Sequence, residues 1–316
     1  MIRRRDFIIG AGAAAVASPA VLRAQEVVTI KMGALKLIHS IAPYFYEKFT
    51  PAGYKVEVIP FESPTEGKNA VVTKSVDFGM FGIAAATLGA AAGEPVVVIA
   101  GACNKGMAVI AGKDKPIASI KDLKGKKVAI WPGSTQEVFI LERLRMEGMS
   151  IKDVTPIRVS FSEMHLALAR GDIDAYVGAE PGPGVSLSTG IGKLVEYPYG
   201  TAMGGLNMVF GAHRDTLASN PKLVKVILGI HRKASEFGMK NPKDMAAMAV
   251  AKLGQKKEAI DISVPNVELT WKFGDLEIKQ SKTYAEYMLQ LKQIRQLPDF
   301  ATFFDTRFVD ELAKEA

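Results

Sequence analysis

SIKDLKGKKVAIWPGSTQEVFILERLRMEG, residues 119–148, contains the strand, loop and helix from which the fold can be worked out. Residues 128–131 form a short apolar run, the length of a strand that is buried on both faces. Residues 132–133, Pro and Gly, end that run, and apolar side chains then recur at helical spacing over residues 138–146. Gly148 is placed to end the helix. A buried strand, a glycine loop and a helix in this order predict one unit of an α/β fold.

The start of this helix is the first candidate for a ligand site. Ser134 is a good N-cap residue, and Glu137 follows three positions later, which predicts a capping box. The first N–H groups of a helix have no partner within it and lie at the positive end of its dipole. In open α/β sheets such a strand end faces the ligand crevice, so Gly133, Ser134, Thr135 and Gln136 are candidate ligand-binding residues. The alternative is that the capping box only stabilises the helix.

The composition is that of one large domain or two of ordinary size. The chain has 316 residues, of which 48% are hydrophobic and 23% are charged. The first 24 residues hold four of the 40 basic and one of the 33 acidic residues, so the remainder carries a net charge of only +4. This small excess, with no aromatic residues interleaved among Lys124, Lys126 and Lys127, predicts no nucleic-acid binding.

Residues 1–24 are predicted to be a targeting segment that is removed from the mature protein. Arg4-Arg5, followed by Phe7-Ile8 and an alanine-rich, weakly apolar stretch, resembles a twin-arginine export signal. The apolar stretch is too short for a membrane-spanning helix. Export to the periplasm is therefore expected, and an uncleaved anchor is the alternative.

Cysteine and histidine usage argues against disulfides and metal sites. Cys103 is the single cysteine, which excludes an internal disulfide and a multi-cysteine metal site. The histidines show no metal-ligand spacing; they are His39, His165, His213 and His231. No metal and no cofactor are predicted. For His39, a ligand contact and a structural role both stay open.

The chain repeats the strand–helix plan in two halves and then becomes mainly helical. Strands are predicted at four places before Gly112: residues 27–33, 54–61, 76–81 and 96–100. The plan then starts again and ends in a loop rich in Gly and Pro, residues 178–184. Asp77 and Asp174 occupy matching places in the two halves, where each is predicted to serve a turn or cap. The pattern predicts two similarly built α/β lobes.

Several segments together resemble the nitrate/sulfonate/taurine-type solute-binding proteins of bacterial ABC importers, with related pyrimidine-precursor binders. The segments are residues 56–61, 76–82, 90–95, 120–135 with its DLKGKKVA core, 167–175, 220–221, 241–242 and 298–308. The resemblance implies a type II periplasmic binding protein fold, in which two α/β lobes are joined by two crossovers with the ligand cleft between them. The implied lobes are residues 25–111 with 211–316, and residues 112–210. Gly106, Gly112 and Gly204-Gly205 suit hinge ends.

The resemblance also implies a ligand pocket. By matching positions, the predicted ligand-binding residues are Leu35, Lys36, His39, Gly82, Ile83, Ala84, Asn104, Gly133, Ser134, Thr135, Gln136, Glu180 and Tyr197. A carboxylate at Glu180 repels an anion and accepts hydrogen bonds from N–H or O–H donors. It therefore favours an organic solute such as a nitrogen heterocycle over a bare anion. The alternative is that Glu180 faces solvent or pairs with a basic residue that bridges the lobes.

These features predict a monomeric periplasmic receptor that closes over a small organic solute and delivers it to the membrane permease of an ABC importer. No catalysis is expected, because Ser134 has no histidine base in its sequence context and a GxSxG elbow is absent. Two alternatives stay open. One is a pyrimidine-precursor-related enzyme on the same fold, and the other is the receptor of a TRAP-type secondary transporter.

Overall fold

The computed structural model describes residues 27–315, so the expected export signal at residues 1–24 lies outside the described residues. Within that range the strands are β1 Val28–Leu35, β2 Tyr54–Phe61, β3 Phe78–Gly82, β4 Val96–Lys105, β5 Met107–Gly112, β6 Lys127–Ile130, β7 Thr155–Arg158, β8 Ala175–Ala179, β9 Gly192–Glu196, β10 Leu206–His213 and β11 Val267–Leu269. The strands form two separate sheets.

The helices cover both sheets and fill the last third of the chain. They are α1 Pro64–Val72, α2 Ile83–Ala91, α3 Thr135–Met146, α4 Met164–Arg170, α5 Gly182–Ser188, α6 Arg214–Ser219, α7 Pro221–Lys240, α8 Pro242–Leu253, α9 Lys257–Ser263, α10 Asp275–Gln290, α11 Phe300–Phe303 and α12 Arg307–Lys314. Short 3₁₀ helices lie at Ile38–Ser40, Ala42–Phe49, Ile120–Leu123, Ile151–Asp153 and Val264–Asn266.

The two sheets are built on the same plan, which confirms the predicted pair of α/β lobes. The strand order is β11-β4-β10-β3-β1-β2 in the first lobe and β7-β6-β8-β5-β9 in the second. In each sheet the strand second from one edge, β1 or β6, pairs in parallel with both of its neighbours. An antiparallel strand then follows, β10 beside β3 and β5 beside β8.

Two crossovers join the lobes. The first is the step from β4 to β5 at Gly106, and the second precedes β10 at Gly205. Because β5 pairs within the second sheet and β10 within the first, both strands belong wholly to those lobes. Residues 107–111, which were expected in the first lobe, therefore belong to the second. Residues 206–210, which were expected in the second lobe, belong to the first.

The core of the first lobe lies on both faces of its sheet. In β4, Val97 and Ile99 face one apolar cluster, and Val96 and Val98 face the other. Successive side chains of a strand point to opposite faces, so a strand with cores on both sides is apolar throughout. This is why residues 96–100 show no alternation of polar and apolar residues.

Helix α3 begins as predicted, with one difference in its cap. The Ser134 hydroxyl accepts a hydrogen bond from the Glu137 N–H at 3.1 Å. The Glu137 carboxylate does not return to Ser134 but accepts the Gly133 N–H at 2.8 Å. Gly133 has a φ of +76°, a conformation that glycine adopts without strain, and this turns its N–H towards the helix start.

The apolar side chains of α3 serve two different cores. Ile140 and Leu144 pack in the core of the second lobe. Phe139 packs instead with residues of the first lobe, and its ring lies 5.5 Å from that of Tyr284 in α10 at an interplanar angle of 84°. One helix therefore supports its own lobe and contacts the other.

Asp77 and Asp174 have the same structural role in the two lobes. The Asp77 carboxylate accepts the Lys31 N–H at 2.7 Å, and the Asp174 carboxylate accepts the Lys127 N–H at 2.9 Å. Each aspartate thus ties the turn before one strand to the neighbouring parallel strand. Their predicted role in turns, rather than in ligand contact, matches these bonds.

The segment that sequence analysis takes for a loop, residues 178–184, is partly helical. Residues 178–179 end β8, and α5 starts at Gly182 with Pro183 in its first turn. Proline fits the first turn of a helix because its missing N–H would have no partner there. Gly and Pro here mark a helix start, so the expectation of a loop was wrong for residues 182–184, and it was also wrong for residues 178–179, which belong to β8.

Candidate functional site

The two lobes meet over a small cavity whose wall comes from both of them. Its volume is about 10 Å³, roughly the space of one water molecule. It is lined by Leu35, Leu37, His39, Pro64, Gly82, Gln136, Phe161, Asn207 and Met208. Gln136 and Phe161 come from the second lobe and the others from the first, so the cavity lies in the interlobe cleft.

His39 is fully buried in the cavity wall, in the 3₁₀ helix Ile38–Ser40. Its Nε2 lies 3.2 Å from the Lys105 carbonyl oxygen. Because a carbonyl oxygen only accepts, Nε2 carries the proton and Nδ1 is left as an acceptor. Within residues 27–315, Nδ1 has no hydrogen-bond partner. Burial lowers the pKa of His39 from 6.5 to about 4, and nearby carbonyl oxygens, that of Lys105 first, offset only part of this fall. The ring is therefore neutral at pH 7.

Two glycines allow the lobes to approach closely at this cavity. A Cβ on Gly82 would lie 2.5 Å from the Thr135 hydroxyl oxygen, and a Cβ on Gly106 would lie 2.2 Å from His39 Nε2. Gly106 also has a φ of +73°, which favours glycine. Gly106 therefore fits its expected place at a crossover for two reasons, its backbone conformation and its contact with His39.

The residues at the start of α3 divide into two groups. Thr135 Oγ1 donates to the Asn207 carbonyl oxygen at 3.2 Å, which is a bond between the lobes, and Gln136 lines the cavity. The Ser134 hydroxyl is used within its own loop, since it also donates to the Trp131 carbonyl oxygen at 2.6 Å. These contacts favour capping as the role of Ser134, and they leave Thr135 and Gln136 at the cleft.

An outer pocket of about 190 Å³ adjoins the cavity, because Leu37 and Phe161 line both spaces. Its other wall residues are Lys36, Glu62, Ser162, His165, Pro181, Gly182, Val185, Lys252, Leu253 and Gln255. Lys36 and Glu62 are half exposed and form an ion pair. Charged groups therefore stand at the outer pocket, while no residue lining the inner cavity carries a formal charge at pH 7.

Eight of the predicted ligand-binding residues line neither space: Ile83, Ala84, Asn104, Gly133, Ser134, Thr135, Glu180 and Tyr197. Of these, Ile83 and Ala84 are fully buried within α2. Asn104 lies at the end of β4, where its buried Oδ1 has no partner within the described range. Tyr197 is 38% exposed and stacks on Tyr199, with ring centroids 6.3 Å apart. The expected role of these last four residues in ligand binding gains no support from their positions.

Glu180 has different partners from those expected. Its carboxylate accepts the Gly184 N–H at 3.0 Å, the Ser263 hydroxyl at 2.7 Å and the Asn266 amide at 2.9 Å. Burial raises the pKa of Glu180, and these three hydrogen bonds oppose the rise. Ser263 and Asn266 belong to the first lobe, so the carboxylate bridges the lobes. Of the two sequence alternatives, bridging fits better, although the donors are a hydroxyl and amides and not a basic side chain.

Leu37 lies within the stretch from Leu35 to His39 that the resemblance assigns to the pocket, and sequence analysis misses the other four residues of the cavity wall: Pro64, Phe161, Asn207 and Met208. One of them had a sequence signal. Pro64 opens α1 behind the N-cap Ser63, whose capping box with Glu66 follows the S-x-x-E pattern. Phe161 follows the short strand β7, and Asn207 and Met208 lie on the returning crossover strand. Their places depend on how the lobes meet.

Two kinds of feature are absent from residues 27–315. No helix in this range is long and apolar enough to cross a membrane. No group of three or more His, Cys, Asp or Glu residues in the range is arranged to hold a metal ion.

Known proteins share both the sequence pattern and the fold. A family model described as NMT1/THI5 like matches residues 45–245. The putative aliphatic sulfonates-binding protein of Escherichia coli (strain K12) is 23% identical over 243 residues, which cover 76% of this chain and 74% of that protein.

Solved structures of similar proteins agree with the predicted fold class. The alkanesulfonate-binding protein SsuA from Xanthomonas axonopodis pv. citri, bound to MOPS, has a TM-score of 0.79 at 18% identity, covering 89% of this chain and 99% of that one. The periplasmic nitrate-binding protein NrtA from Synechocystis PCC 6803 has a TM-score of 0.75 at 19% identity, covering 92% and 89%. At such identities the likeness shows the fold alone, and the type II periplasmic binding protein fold is confirmed.

Proposed function

Because the chain belongs to the NMT1/THI5-like family, we propose that it is the exported solute receptor of an ABC importer. In this proposal it binds a small organic solute between its lobes in the periplasm, as a monomer, and delivers it to a membrane permease. The observation that carries the proposal is the cavity lined by residues of both lobes. A solute held by both lobes binds the closed form better than the open form and shifts the population towards closure.

Contacts between the lobes support this closing mechanism. Besides the bond from Thr135 to Asn207, the Glu137 carboxylate of the second lobe accepts the Gln293 side-chain amide at 2.7 Å. The Phe139 ring adds an apolar contact with α10. These contacts favour the closed form whatever the solute is.

The Glu180 carboxylate provides a second set of hydrogen bonds between the lobes, where α5 packs against α9. We call this set the Glu180 clasp. A Cβ on Gly184 would lie 2.1 Å from the Ser263 hydroxyl oxygen, so α5 and α9 pack too closely for a larger residue. The three donors to the carboxylate replace the water that it loses on burial. Glu180 thus stabilises closure without lining the cavity.

The residues that could form a covalent intermediate favour binding over catalysis. Cys103 is fully buried, its thiol donates to the Asn104 carbonyl oxygen at 3.2 Å, and burial raises the pKa of the thiol. The thiolate is the reactive form of cysteine, so this thiol is poorly suited to act as a nucleophile. The Ser134 hydroxyl caps α3 and donates to a backbone carbonyl, not to a histidine.

The receptor proposal is tested by measuring solute binding and closure on the same mature protein. A solute panel is screened by thermal shift, and each hit is measured by calorimetry and by X-ray scattering in solution. The expected result is a hit that raises the melting temperature and keeps or reduces the radius of gyration. Chemical turnover of a hit would contradict the proposal, and so would binding that expands the molecule.

The variant Glu180→Gln tests whether the Glu180 clasp stabilises the closed form. Glu180 stabilises closure and does not line the cavity. Loss of its carboxylate is therefore expected to lower the affinity for every solute by a similar factor, about tenfold, which corresponds to 1.4 kcal/mol. The matched control is Glu268→Gln, since Glu268 forms a half-exposed ion pair with Lys105. Loss of affinity for some solutes only would instead mean that Glu180 contacts the solute.

Export is tested separately, in cells. Replacing both Arg4 and Arg5 by Lys is expected to leave the precursor in the cytoplasm, because twin-arginine export depends on the arginine pair. The measurement is the distribution of the protein between periplasmic and cytoplasmic fractions. Unchanged accumulation in the periplasm would remove the twin-arginine part of the proposal and leave the receptor function standing.

A further inference from the structure

The hydrogen-bonding groups of the inner cavity narrow the class of solute. His39 Nδ1 is a fully buried acceptor that has no donor within residues 27–315. One N–H of the Asn207 side-chain amide is already used, because Nδ2 donates to the Lys105 carbonyl oxygen at 2.6 Å. Gln136 adds a nearly buried amide that can both donate and accept. The unmet need of the wall is thus a hydrogen-bond donor for His39.

The charges around the cavity disfavour an ionised group inside it. No residue that lines the cavity is charged, so either a cation or an anion would be buried without an opposite charge. The start of α3, which would otherwise attract an anion, already holds the Glu137 carboxylate at 2.8 Å from the Gly133 N–H.

We propose that the part of the solute that enters the inner cavity is an uncharged group with an N–H or O–H donor, which binds His39 Nδ1. This inference rests on the receptor function proposed above and deepens it by naming the solute class. A sulfonate or nitrate anion has no donor and brings a charge that the wall does not balance. An amide, a sulfonamide or a nitrogen heterocycle with an N–H supplies the donor without the charge.

The outer pocket sets where the rest of the solute can lie. Lys36, Glu62 and Lys252 line it, so charged substituents are tolerated there, outside the inner cavity. Leu37 and Phe161 line both spaces, and we expect these side chains to move when a larger solute reaches both. The proposal therefore concerns the group at His39 and not the net charge of the whole solute.

The test uses matched solutes that differ only in this group. One series is nicotinamide, nicotinate and 3-acetylpyridine, and the other is benzenesulfonamide, benzenesulfonate and methyl phenyl sulfone. In each series the first member is uncharged with a donor, the second is an anion and the third is uncharged without a donor. Dissociation constants are measured by calorimetry on the mature protein at neutral pH.

The uncharged donor is expected to bind about tenfold more tightly than both of its partners, the effect of one matched hydrogen bond. Equal or tighter binding of the anion would overturn the head-group class and leave the receptor function intact. Equal binding of the methyl compound would remove the role of the donor. If neither series binds while thermal shift finds another ligand class that has no donor, the inference also fails. If no small molecule binds at all, the receptor function fails with it.

A variant extends the test by reversing the expected preference. Gln136→Lys places a cation in the cavity wall. The affinity for benzenesulfonate relative to that for benzenesulfonamide is therefore expected to rise about tenfold. Gln290→Lys is the matched control, because Gln290 is exposed at the end of α10. Circular dichroism and melting temperature check that both variants fold. An unchanged ranking in folded Gln136→Lys would mean that the head group binds elsewhere.

Discussion

His39 and His231 are both fully buried in the first lobe, yet only His231 has a partner for each ring nitrogen. His231 Nε2 bonds to the Gly101 carbonyl oxygen at 2.8 Å, and its Nδ1 accepts the Tyr46 hydroxyl at 2.8 Å. His39 Nε2 faces the Lys105 carbonyl oxygen at 3.2 Å, and its Nδ1 has no partner within residues 27–315. Both rings carry the proton on Nε2, so the two sites differ in a single missing donor.

This difference shows what burial alone does not say about a histidine. Burial lowers the pKa of both His39 and His231 from 6.5 to about 4, so neither pKa nor exposure separates them. The surroundings do. His231 lies in α7 against the ring of Phe210, with centroids 4.9 Å apart, whereas His39 lines the interlobe cavity next to a crossover. A matched donor indicates a structural role for His231, and an unmatched acceptor at a cavity supports the ligand-facing role that we propose for His39.

The largest expected effect is shared by both histidines, and it appears on acidification. An unfolded histidine binds a proton near pH 6.5, whereas each buried ring binds one only near pH 4, so between these values the unfolded chain binds more protons. The free energy of unfolding should therefore fall as the pH drops from 6.5 towards 4, by on the order of 3 kcal/mol for each histidine. Above this window the histidines add no pH dependence.

Urea unfolding at neutral pH and at about pH 5 measures this loss. The double variant His39→Gln, His231→Gln should lose less stability between the two pH values than the wild type, because glutamine does not titrate. If the wild type and the double variant lose the same amount of unfolding free energy, the two rings are not both neutral and buried in the folded state. The comparison of His39 with His231 would then not hold.

The next effect separates the two sites by stability at neutral pH. His231→Ala should lower the free energy of unfolding by about 3 kcal/mol, because it opens a cavity and leaves Tyr46 and Gly101 without their bonded partner. His39→Ala should cost less, since its Nδ1 has no bond to lose. Urea denaturation of both variants measures the difference. A larger cost for His39→Ala would reverse the assignment of the structural histidine.

A smaller change should make His231 resemble His39. Tyr46→Phe removes the hydroxyl that donates to His231 Nδ1 and should cost about 2 kcal/mol, because it leaves a buried acceptor unpaired. Ser235 Oγ, 3.4 Å from the same nitrogen, can recover part of that loss. Tyr44→Phe is the control, because Tyr44 is only partly buried. If both variants are equally stable, the bond to Tyr46 does not explain why His231 is structural.

The parts of the fold that depend on local sequence were predictable. Ser134 caps α3 because its hydroxyl is three residues from the N–H that it accepts, and Asp77 and Asp174 bond to strands that the lobe plan places beside them. Interlobe contacts were not predictable in this way. Glu180 is more than 80 positions from Ser263 and Asn266, and nothing in its own segment indicates donors that distant.

The candidate site was predictable only where it follows strand ends. Leu35 and Gly82 end β1 and β3, Gln136 lies in the first turn of the helix that follows β6, and all three line the cavity. Phe161 and Asn207 do not follow that rule in an obvious way, because their positions depend on how far the lobes close. For His39 the sequence left both roles open, since the missing donor can be seen only once the whole wall is assembled.

The most direct measurement is the affinity of one solute for two glutamine variants. His39→Gln can keep a bond to the Lys105 carbonyl oxygen through its amide but loses the acceptor Nδ1, and His231→Gln makes the matching change in the core. Calorimetry with the tighter of nicotinamide and benzenesulfonamide compares them. The predicted result is a loss of about tenfold for His39→Gln and no change for folded His231→Gln. Equal losses in both variants, or none in His39→Gln, would contradict the assignment of His39 to the solute site.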